Sequence, residues 1–595
     1  MRSGWFEMFD KVKHARWPIG AGIISVLIGS FLWFISPGAT VLPLPEKLKA
    51  VQYFQADANL RTFWSNLDDA QLARDLDMIR SGGFNAIILM VPWGEFQPSI
   101  QPIRYDDRML RRLHHVIQEA ESRGLWVILR MGSHEILPEG VQGGDWWTGA
   151  VLTNEEEFAA YRGLFRVIAN ATRGYPRILY FWSWEDTYLW PQPWYGGLED
   201  NRRAWREWCR SKNASLSFWN ARWSEQNQTW EQLEIPDSRK YSGDNKVGDF
   251  WAFADSYIIQ RAPELARALR EGNPNGIIGF EARIDPDDTY HHLDTFRTIT
   301  DYDFAASWYY PYQGVPLTHV APLLEAREAV RELALQLQAV AEWGRRPVFF
   351  EQIGAALREE NLDHQRLFLI SATELLLTES LGYGIWAWQD YTLNSVYNPG
   401  FELGIDRWHA EGDVLDVDSS SHAFHGQRAV QLRPGGLIRQ DMAGYGGRFC
   451  SLYARTEQLE KATLLVAIER LQDGRVTDRQ ERVLQIGPIY EQQVIEWESS
   501  SADANGARVT IRLPDDGPSS VVVDLVRCYS MISHLGICDV SGNPRQPLLD
   551  ELTRVNARGG GSLAWRLRSR WWSLARRLGW MTTRVDTARQ PGGQL

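Results

Sequence analysis

The sequence predicts an α/β protein: a (β/α)8 TIM barrel that carries an inserted β-sandwich and follows an N-terminal transmembrane helix. From about residue 48 to 396, eight short apolar strand patterns alternate with amphipathic helix patterns, the order of a parallel barrel. From residue 397 the pattern changes to short alternating strands separated by polar turns, which favours a sandwich. No charged residue occurs from Trp17 to Pro45, as expected of a chain that crosses a membrane.

The N-terminal segment reads as a signal anchor. Residues 1–16 include Lys11, Lys13 and Arg16, and the apolar run Ile19–Ile35 follows them. The positive-inside rule therefore predicts residues 1–16 in the cytoplasm, a membrane span over 17–36 and a spacer over 37–47. A cleaved signal peptide is the alternative, but no clean A-x-A site is present. The protein is accordingly expected in the cell membrane as a single-pass protein with its folded domains extracytoplasmic.

The barrel is predicted over 48–396 and is completed by 531–558. The predicted strands are Ala50–Phe54, Ala86–Val91, Trp126–Met131, Ile178–Trp184, Gly276–Phe280, Phe304–Trp308, Val348–Phe350 and Gly384–Trp388. The helices between them include Asp69–Ser81, Asp107–Arg123, Glu155–Thr172, Asp249–Arg270, Leu323–Trp343 and His364–Leu381.

Residues 397–530 are predicted to be an insertion between the eighth strand and the eighth helix. They contain no convincing long helix, whereas His534–Thr553 has the pattern of a turn followed by a helix. Loops at the mouth of a barrel tolerate such insertions.

The composition restricts the partners of the protein. A net charge of −12 and a pI of about 5.6 argue against nucleic acid. The 28 Trp residues include many that could stack on sugar rings, although Trp is also common in cores. The four Cys form no metal-binding pattern, and Cys450 and Cys528 could pair within the sandwich.

The tail, residues 559–595, is strongly basic, and Leu563–Arg584 contains no acidic residue. Its leucines recur at helical spacing, so the tail could lie on an anionic membrane surface as an amphipathic helix. A solvated, partly disordered tail is the alternative.

Two glutamates are placed where a barrel carries its chemistry, at the C-terminal ends of strands. The apolar strand in Pro347–Gly354 leads to Glu351, and Ile178–Trp184 is followed at once by Glu185. An unpaired buried carboxylate is costly, so a chemical role is the first explanation to test. Two such groups facing one pocket are what a two-carboxylate glycosidase needs. The other candidates at strand ends are Trp93, His134, Trp184, Glu281, Trp308, Tyr309, Tyr310, Trp386 and Trp388.

Five segments of the chain resemble the clan of retaining glycoside hydrolases with a (β/α)8 barrel, which includes cellulase-like and β-galactosidase-like families. Their order and spacing, more than any one of them, carry the resemblance. They are residues 83–98 (second strand and loop), 120–130 (third strand), 181–185 (fourth), 347–354 (seventh) and 384–390 (eighth).

The resemblance implies a retaining hydrolase, or a transglycosylase, that acts on a β-linked poly- or oligosaccharide and requires no cofactor for catalysis. It implies Glu351 as nucleophile, Glu185 as acid/base and Tyr310 as a hydrogen-bond donor to the nucleophile. It also implies a sugar site formed by residues at the strand ends: Trp93, His134, Trp184, Trp308, Tyr309, Trp386 and Trp388.

Two positions depart from the clan pattern. Trp184 stands where the clan usually has Asn, and strand six reads Trp308-Tyr309-Tyr310 where His-x-Tyr is common. The first departure supports an alternative from another class, a catalytically inactive polysaccharide-binding or export and assembly protein on a barrel scaffold.

The insertion resembles jelly-roll carbohydrate-binding modules, which often begin with the motif Asn-x-x-Phe-Glu, here Asn398–Glu402. In those modules this Glu often joins a late Asp in a structural calcium site, which implies Glu402 and Asp524 here. The alternative is a sandwich with surface carboxylates and no metal.

Overall fold

The computed structural model describes residues 47–558, except for 61, 134–135, 142–150, 184–198, 237–244, 282–300, 312–321, 345, 356–361, 393, 444–448, 473, 498–505, 516–519 and 530–531. The predicted anchor over 17–36 and the basic tail over 559–595 lie outside this part of the chain. Within the described residues, no helix combines the length and the apolar composition needed to cross a membrane.

Eight parallel strands close into a barrel, which confirms the predicted fold. Around the barrel their order is β1-β10-β9-β8-β7-β6-β5-β2, so strands that are neighbours in sequence are also neighbours in space, apart from a small β3–β4 hairpin. The strands are β1 (Leu48–Gln52), β2 (Ala86–Pro92), β3 (Ser99–Ile100), β4 (Ile103–Arg104), β5 (Trp126–Ser133), β6 (Ile178–Ser183), β7 (Ile277–Glu281), β8 (Phe304–Tyr309), β9 (Val348–Ile353) and β10 (Gly382–Ile385).

Helices surround the barrel, and several begin at a residue that caps them. Asp68 accepts a hydrogen bond from Gln71 N, and Asp106 accepts from Arg108 N. Such caps satisfy backbone N–H groups that have no partner within the helix. The helices are α1 (Asp69–Ser81), α2 (Trp93–Phe96), α3 (Asp107–Ser122), α4 (Glu155–Thr172), α5 (Glu199–Lys212), α6 (Leu216–Trp223), α7 (Asn245–Gly272), α8 (Pro322–Gly344), α9 (Leu362–Glu379) and α10 (Gln546–Arg558).

Side chains of the barrel strands alternate between two environments, as the period of two requires. In β5, Val127, Leu129 and Met131 join the large apolar core between the strands and the helices. Ile128 and Arg130 are buried but lie outside that core, so they face the barrel interior. The same reasoning assigns an inward-facing set, namely Ala50, Gln52, Ile88, Leu179, Phe181, Phe304, Phe349 and Glu351.

The second domain consists of two five-stranded antiparallel sheets around their own apolar core, which supports the predicted β-sandwich. Cys450 and Cys528 lie opposite each other in neighbouring strands and form a disulfide. The strands of this region, with a short pair that flanks it, are β11 (Tyr391–Thr392), β12 (His409–Glu411), β13 (Val414–Asp418), β14 (Arg428–Leu432), β15 (Leu437–Ala443), β16 (Phe449–Thr456), β17 (Ala462–Gln472), β18 (Arg475–Ile486), β19 (Glu491–Glu496), β20 (Gly506–Arg512), β21 (Val521–Tyr529) and β22 (Ile532–Ser533).

After the sandwich the chain returns to the barrel. Strand β22 pairs with β11. Helix α10 then packs beside the first and last barrel strands. Asn556 of α10 donates a hydrogen bond to Gly82 O over 3.0 Å and accepts one from the hydroxyl group of Tyr383 in β10. Helix α10 therefore occupies the place of the eighth barrel helix.

Candidate active site

Glu351 lies inside β9, at the C-terminal end of the barrel, and its side chain is fully buried. Its neighbours Val348 and Phe350 belong to the outer core, so alternation directs Phe349 and Glu351 inward. The adjacent strand approaches very closely here: a Cβ atom on Gly384 would lie 2.2 Å from Glu351 O. The local sequence therefore places a carboxyl group inside the barrel, beside a strand position that only glycine fits without a shift.

Other inward-facing polar residues share this end of the barrel. Arg130 is buried and donates a hydrogen bond from Nη2 to Ser183 Oγ over 3.2 Å. Glu281 is fully buried and is in register with Ser183. We call Gln52, Arg130, Ser183, Glu281 and Glu351 the polar ring.

Sequence reasoning did not single out Gln52 and Arg130. Among the described residues, neither amide atom of the Gln52 side chain has a hydrogen-bond partner, although the residue is fully buried. The available signal was a polar residue within an otherwise apolar strand, as in Trp-Val-Ile-Leu-Arg at 126–130. Buried polar groups of this kind need partners, and a site for a polar ligand supplies them.

The aromatic residues at the end of β8 separate into two groups. Trp308 is only partly buried, and its ring lies 5.7 Å from that of Tyr310, measured between centroids. Tyr310 donates a hydrogen bond to Gln352 Oε1 over 3.0 Å, whereas the predicted bond to Glu351 remains a prediction. Tyr309 instead faces the helices, where its hydroxyl donates to Glu332 over 2.7 Å.

Three Trp residues of the predicted sugar site are well packed. The Trp386 indole nitrogen donates to Tyr391 Oη over 2.9 Å. Trp388 is fully buried beside Phe84, in the layer between strands and helices. Trp93 is also fully buried and donates to Gln97 Oε1 over 2.8 Å. The packing does not itself support contact of these three indoles, or of Tyr309, with substrate. Such contact remains a prediction.

The remaining predicted residues lie outside the described part of the chain. They are His134, Trp184 and Glu185. Strand β6 ends at Ser183, two residues before Glu185. The pairing of Glu185 with Glu351 therefore remains a prediction.

Glu402 and Asp524 of the sandwich brace the same turn. Glu402 Oε1 accepts hydrogen bonds from the backbone N–H groups of Gln427 and Arg428, at 2.9 and 3.0 Å. Asp524 Oδ2 accepts from two backbone N–H groups just before them, and burial raises the pKa of Asp524 to about 7. Within the described residues, no cluster of three metal-ligating side chains surrounds them. A calcium ion at this pair remains a prediction.

A model of a known protein family matches part of the barrel. Residues 164–361 match the family model described as Glyco_hydro_42, beta-galactosidase, a segment that includes both Glu185 and Glu351. The match and the closed barrel support a glycoside hydrolase of the (β/α)8-barrel clan. The resemblance predicted from the sequence is therefore confirmed at the level of the clan.

Solved structures of glycoside hydrolases are similar to this one. The chain aligns with a GH5_18 variant from Streptomyces cattleya, crystallised with Manb1-4GlcNAc, at 16% identity and a TM-score of 0.41, over 58% of this chain and 72% of the other. It aligns with a catalytic mutant of the GH42 β-galactosidase Gan42B from G. stearothermophilus at 16% identity and a TM-score of 0.44, over 59% and 52%. The alignment with the β-galactosidase of Halorubrum lacusprofundi has 13% identity and a TM-score of 0.41, over 57% and 53%.

Likeness at these identities and TM-scores says nothing about the substrate of this glycoside hydrolase. The chain spans only about half the length of the two β-galactosidases. No curated protein matches the chain.

Proposed function

We propose that the protein is a membrane-anchored retaining glycoside hydrolase, or a transglycosylase, that acts on a β-linked poly- or oligosaccharide. The supporting observation is Glu351, which is fully buried, directed into the barrel and placed in one ring with Arg130. A fully buried carboxyl group at the end of the barrel where this fold carries its chemistry points to a chemical use.

In this proposal catalysis is a double displacement. Glu351 attacks the anomeric carbon while Glu185 protonates the leaving oxygen, which gives a covalent glycosyl-enzyme. Glu185 then takes a proton from water, which attacks the anomeric carbon and releases Glu351. A sugar hydroxyl in place of water gives transglycosylation. The two carboxyl groups of a retaining enzyme lie about 5 Å apart, and this is the separation the proposal requires.

The proposal places the catalytic domain outside the cytoplasm. The uncharged segment from Trp17 to Pro45 supports an anchor, and the basic tail supports a second contact with an anionic membrane surface. The Cys450–Cys528 disulfide fits an oxidising compartment. Membrane flotation of chains that lack the anchor, with and without residues 562–595, tests the tail; unchanged membrane binding by the form that lacks both segments would reject a role for the tail.

Turnover of a glycan panel tests the activity. The full chain, solubilised in detergent, is incubated with β-linked di- and oligosaccharides, and products are followed by chromatography. Glu351→Gln and Glu185→Gln are each expected to lower kcat by about 1000-fold or more. Glu411→Gln, on the exposed face of β12, serves as the control and should leave kcat unchanged.

Wild-type hydrolysis by both variants would reject the assignment of the two glutamates. Binding of glycans by the wild-type protein with no turnover of any substrate would favour the inactive binding protein that Trp184 suggests.

A further inference from the structure

A cavity of about 630 Å³ lies between the barrel and the sandwich. The barrel contributes residues from α2, the β3–β4 hairpin and the start of α3, and the sandwich contributes Tyr397, Asp406 and Arg407. Its volume falls within the range of small-molecule sites, which are common where two domains meet. The barrel residues that form it follow the C-terminal ends of β2 and β5, so the cavity lies at the same end of the barrel as Glu351. Strand β2 is three strands from β9 around the ring.

Glu95 is the buried polar residue of this cavity. It is 2% exposed and forms part of the cavity wall, yet neither carboxyl oxygen accepts a hydrogen bond of ordinary geometry among the described residues; the side chain of Tyr397 is near enough only to lower the pKa of Glu95. Burial raises the pKa of Glu95 to about 8, and the charges of Arg407 and Arg112 offset this only in part. At neutral pH the group is mainly protonated and offers one hydroxyl donor and one carbonyl acceptor.

Several other charged groups at the cavity have partners. Arg108 bridges Asp106 and Asp406, at 2.7 and 3.0 Å. Arg407 donates to Gly94 O over 3.3 Å and lies 4.4 Å above the centre of the Tyr397 ring. These contacts hold the donors and acceptors in fixed directions, so a ligand would meet an ordered polar wall that includes a Tyr ring.

The charges of the wall restrict the ligand. Among the described residues the wall carries five carboxyl groups and three guanidinium groups, so an acidic ligand is disfavoured. Sugar hydroxyls both donate and accept hydrogen bonds, which suits paired charges and a protonated carboxyl group. A buried carboxyl group with neither oxygen bonded is costly, and a polyhydroxy ligand removes that cost.

We infer that this cavity is a second saccharide site, which holds one or two neutral sugar units apart from the catalytic end of β9 with Glu95 as its central hydrogen-bonding group. The inference rests on the saccharide substrate class of the proposed function. A polymer bound at both places would contact the barrel and the sandwich together.

Isothermal titration of the full-length Glu351→Gln protein with cellobiose, lactose and mannobiose tests the inference. The detergent is a polyoxyethylene ether, because glycoside detergents carry a sugar. At least one disaccharide is expected to show two binding sites. Adding Glu95→Leu should weaken one of them at least about tenfold, since Leu keeps the bulk and removes both hydrogen-bonding atoms. Glu95→Gln retains a donor and an acceptor and should restore binding to within about threefold of the parent.

Glu411→Leu is the matched control on an exposed strand, and thermal unfolding shows whether each variant folds. A single site in the parent protein, no effect of Glu95→Leu, or preference for a digalacturonic acid probe would each overturn the inference. Turnover of the same neutral sugars by the wild-type protein is measured separately. Loss of the second site and failure of the hydrolase proposal therefore give different results.

Discussion

The hydroxyl group of Tyr310 donates a hydrogen bond to Gln352 Oε1 over 3.0 Å, and Gln352 directly follows Glu351 in β9. Gln352 is itself buried, so the bond ties the end of β8 to the strand position that carries the proposed nucleophile. Through this bond Tyr310 fixes the backbone position next to Glu351.

Tyr310→Phe is expected to lower kcat/KM about tenfold. The substitution leaves Gln352 Oε1 buried without its donor and loosens the strand beside Glu351, an effect of about 1–2 kcal/mol. Tyr302→Phe is the matched control, because the buried Tyr302 hydroxyl donates to Ala262 O in the helix layer instead. It should lower the thermal stability and leave kcat/KM within about twofold. Equal losses of activity in both variants would contradict a special role for Tyr310.

Gly384→Ala is expected to lower kcat by about tenfold or more. The new methyl group would lie 2.2 Å from Glu351 O, so β9 or β10 must shift, and a small misplacement of a catalytic group is costly. Steady-state kinetics measures the effect. Gly174→Ala is the control, since nothing lies within 4 Å of its added Cβ atom. Unchanged kcat in Gly384→Ala would show that the close approach does not constrain Glu351.

Asp75→Asn is expected to stabilise the protein at pH 8 and to have little effect at pH 4. Asp75 is buried and accepts a hydrogen bond from the Tyr53 hydroxyl over 3.1 Å, and burial raises its pKa from 3.8 to about 6. Its contribution to stability is therefore full below about pH 3.8 and is lost as the pH rises through 6.

Asn at position 75 does not titrate. The free energy of unfolding of Asp75→Asn, relative to that of the wild type, should therefore rise by about 2–3 kcal/mol from pH 4 to pH 8. Denaturant unfolding at both pH values measures it. An advantage that does not change with pH would contradict the assigned titration.

Cys528→Ser is expected to lower the free energy of unfolding of the sandwich by about 4 kcal/mol. The disulfide closes a loop with a sequence separation of 78 residues, and a loop of this length is costly to close in the unfolded chain. Denaturant unfolding, followed by a probe in the sandwich, reports the loss. Cys209→Ser removes a buried free thiol and serves as a control. It keeps the Cys450–Cys528 bond and should lose stability on addition of reductant as wild type does, whereas Cys528→Ser should be insensitive. Identical behaviour of wild type with and without reductant would argue against the bond.

Calcium addition tests the pair Glu402 and Asp524. If the ion binds there, millimolar calcium should raise the melting temperature of the sandwich by several degrees, because a ligand that binds only the folded state stabilises it. Chelation should reverse the shift, and Asp524→Asn should abolish it. No change in the melting temperature at any calcium concentration would mean that the two carboxylates only stabilise the turn from Phe424 to Arg428.

Local patterns were enough to predict most elements of the barrel. Helices Asp69–Ser81 and Glu155–Thr172 have the predicted bounds, because a capping side chain and apolar periodicity are properties of neighbouring residues. Position along the chain was also enough to select Glu351, since a parallel strand covered on both faces has few polar residues.

The environments of the aromatic side chains could not be predicted in this way. Tyr309 and Tyr310 are adjacent in sequence, yet one bonds Glu332 in a helix and the other bonds Gln352 in a strand. Trp388 is packed beside Phe84, from the far end of the chain. Such partners are brought together only when the barrel closes.

The sequence by itself determined the order of strands and helices, the inward carboxyl group of Glu351 and the separate β-rich region, because each depends on periodicity within a short segment. The tertiary structure alone decided that Gln52 and Arg130 join Glu351 in one polar ring. It also decided that Glu95 meets Arg407 at a cavity between two domains. The physical reason is that these residues are far apart in sequence, and only closure of the barrel and docking of the sandwich bring them to the same end of the barrel and to the same cavity.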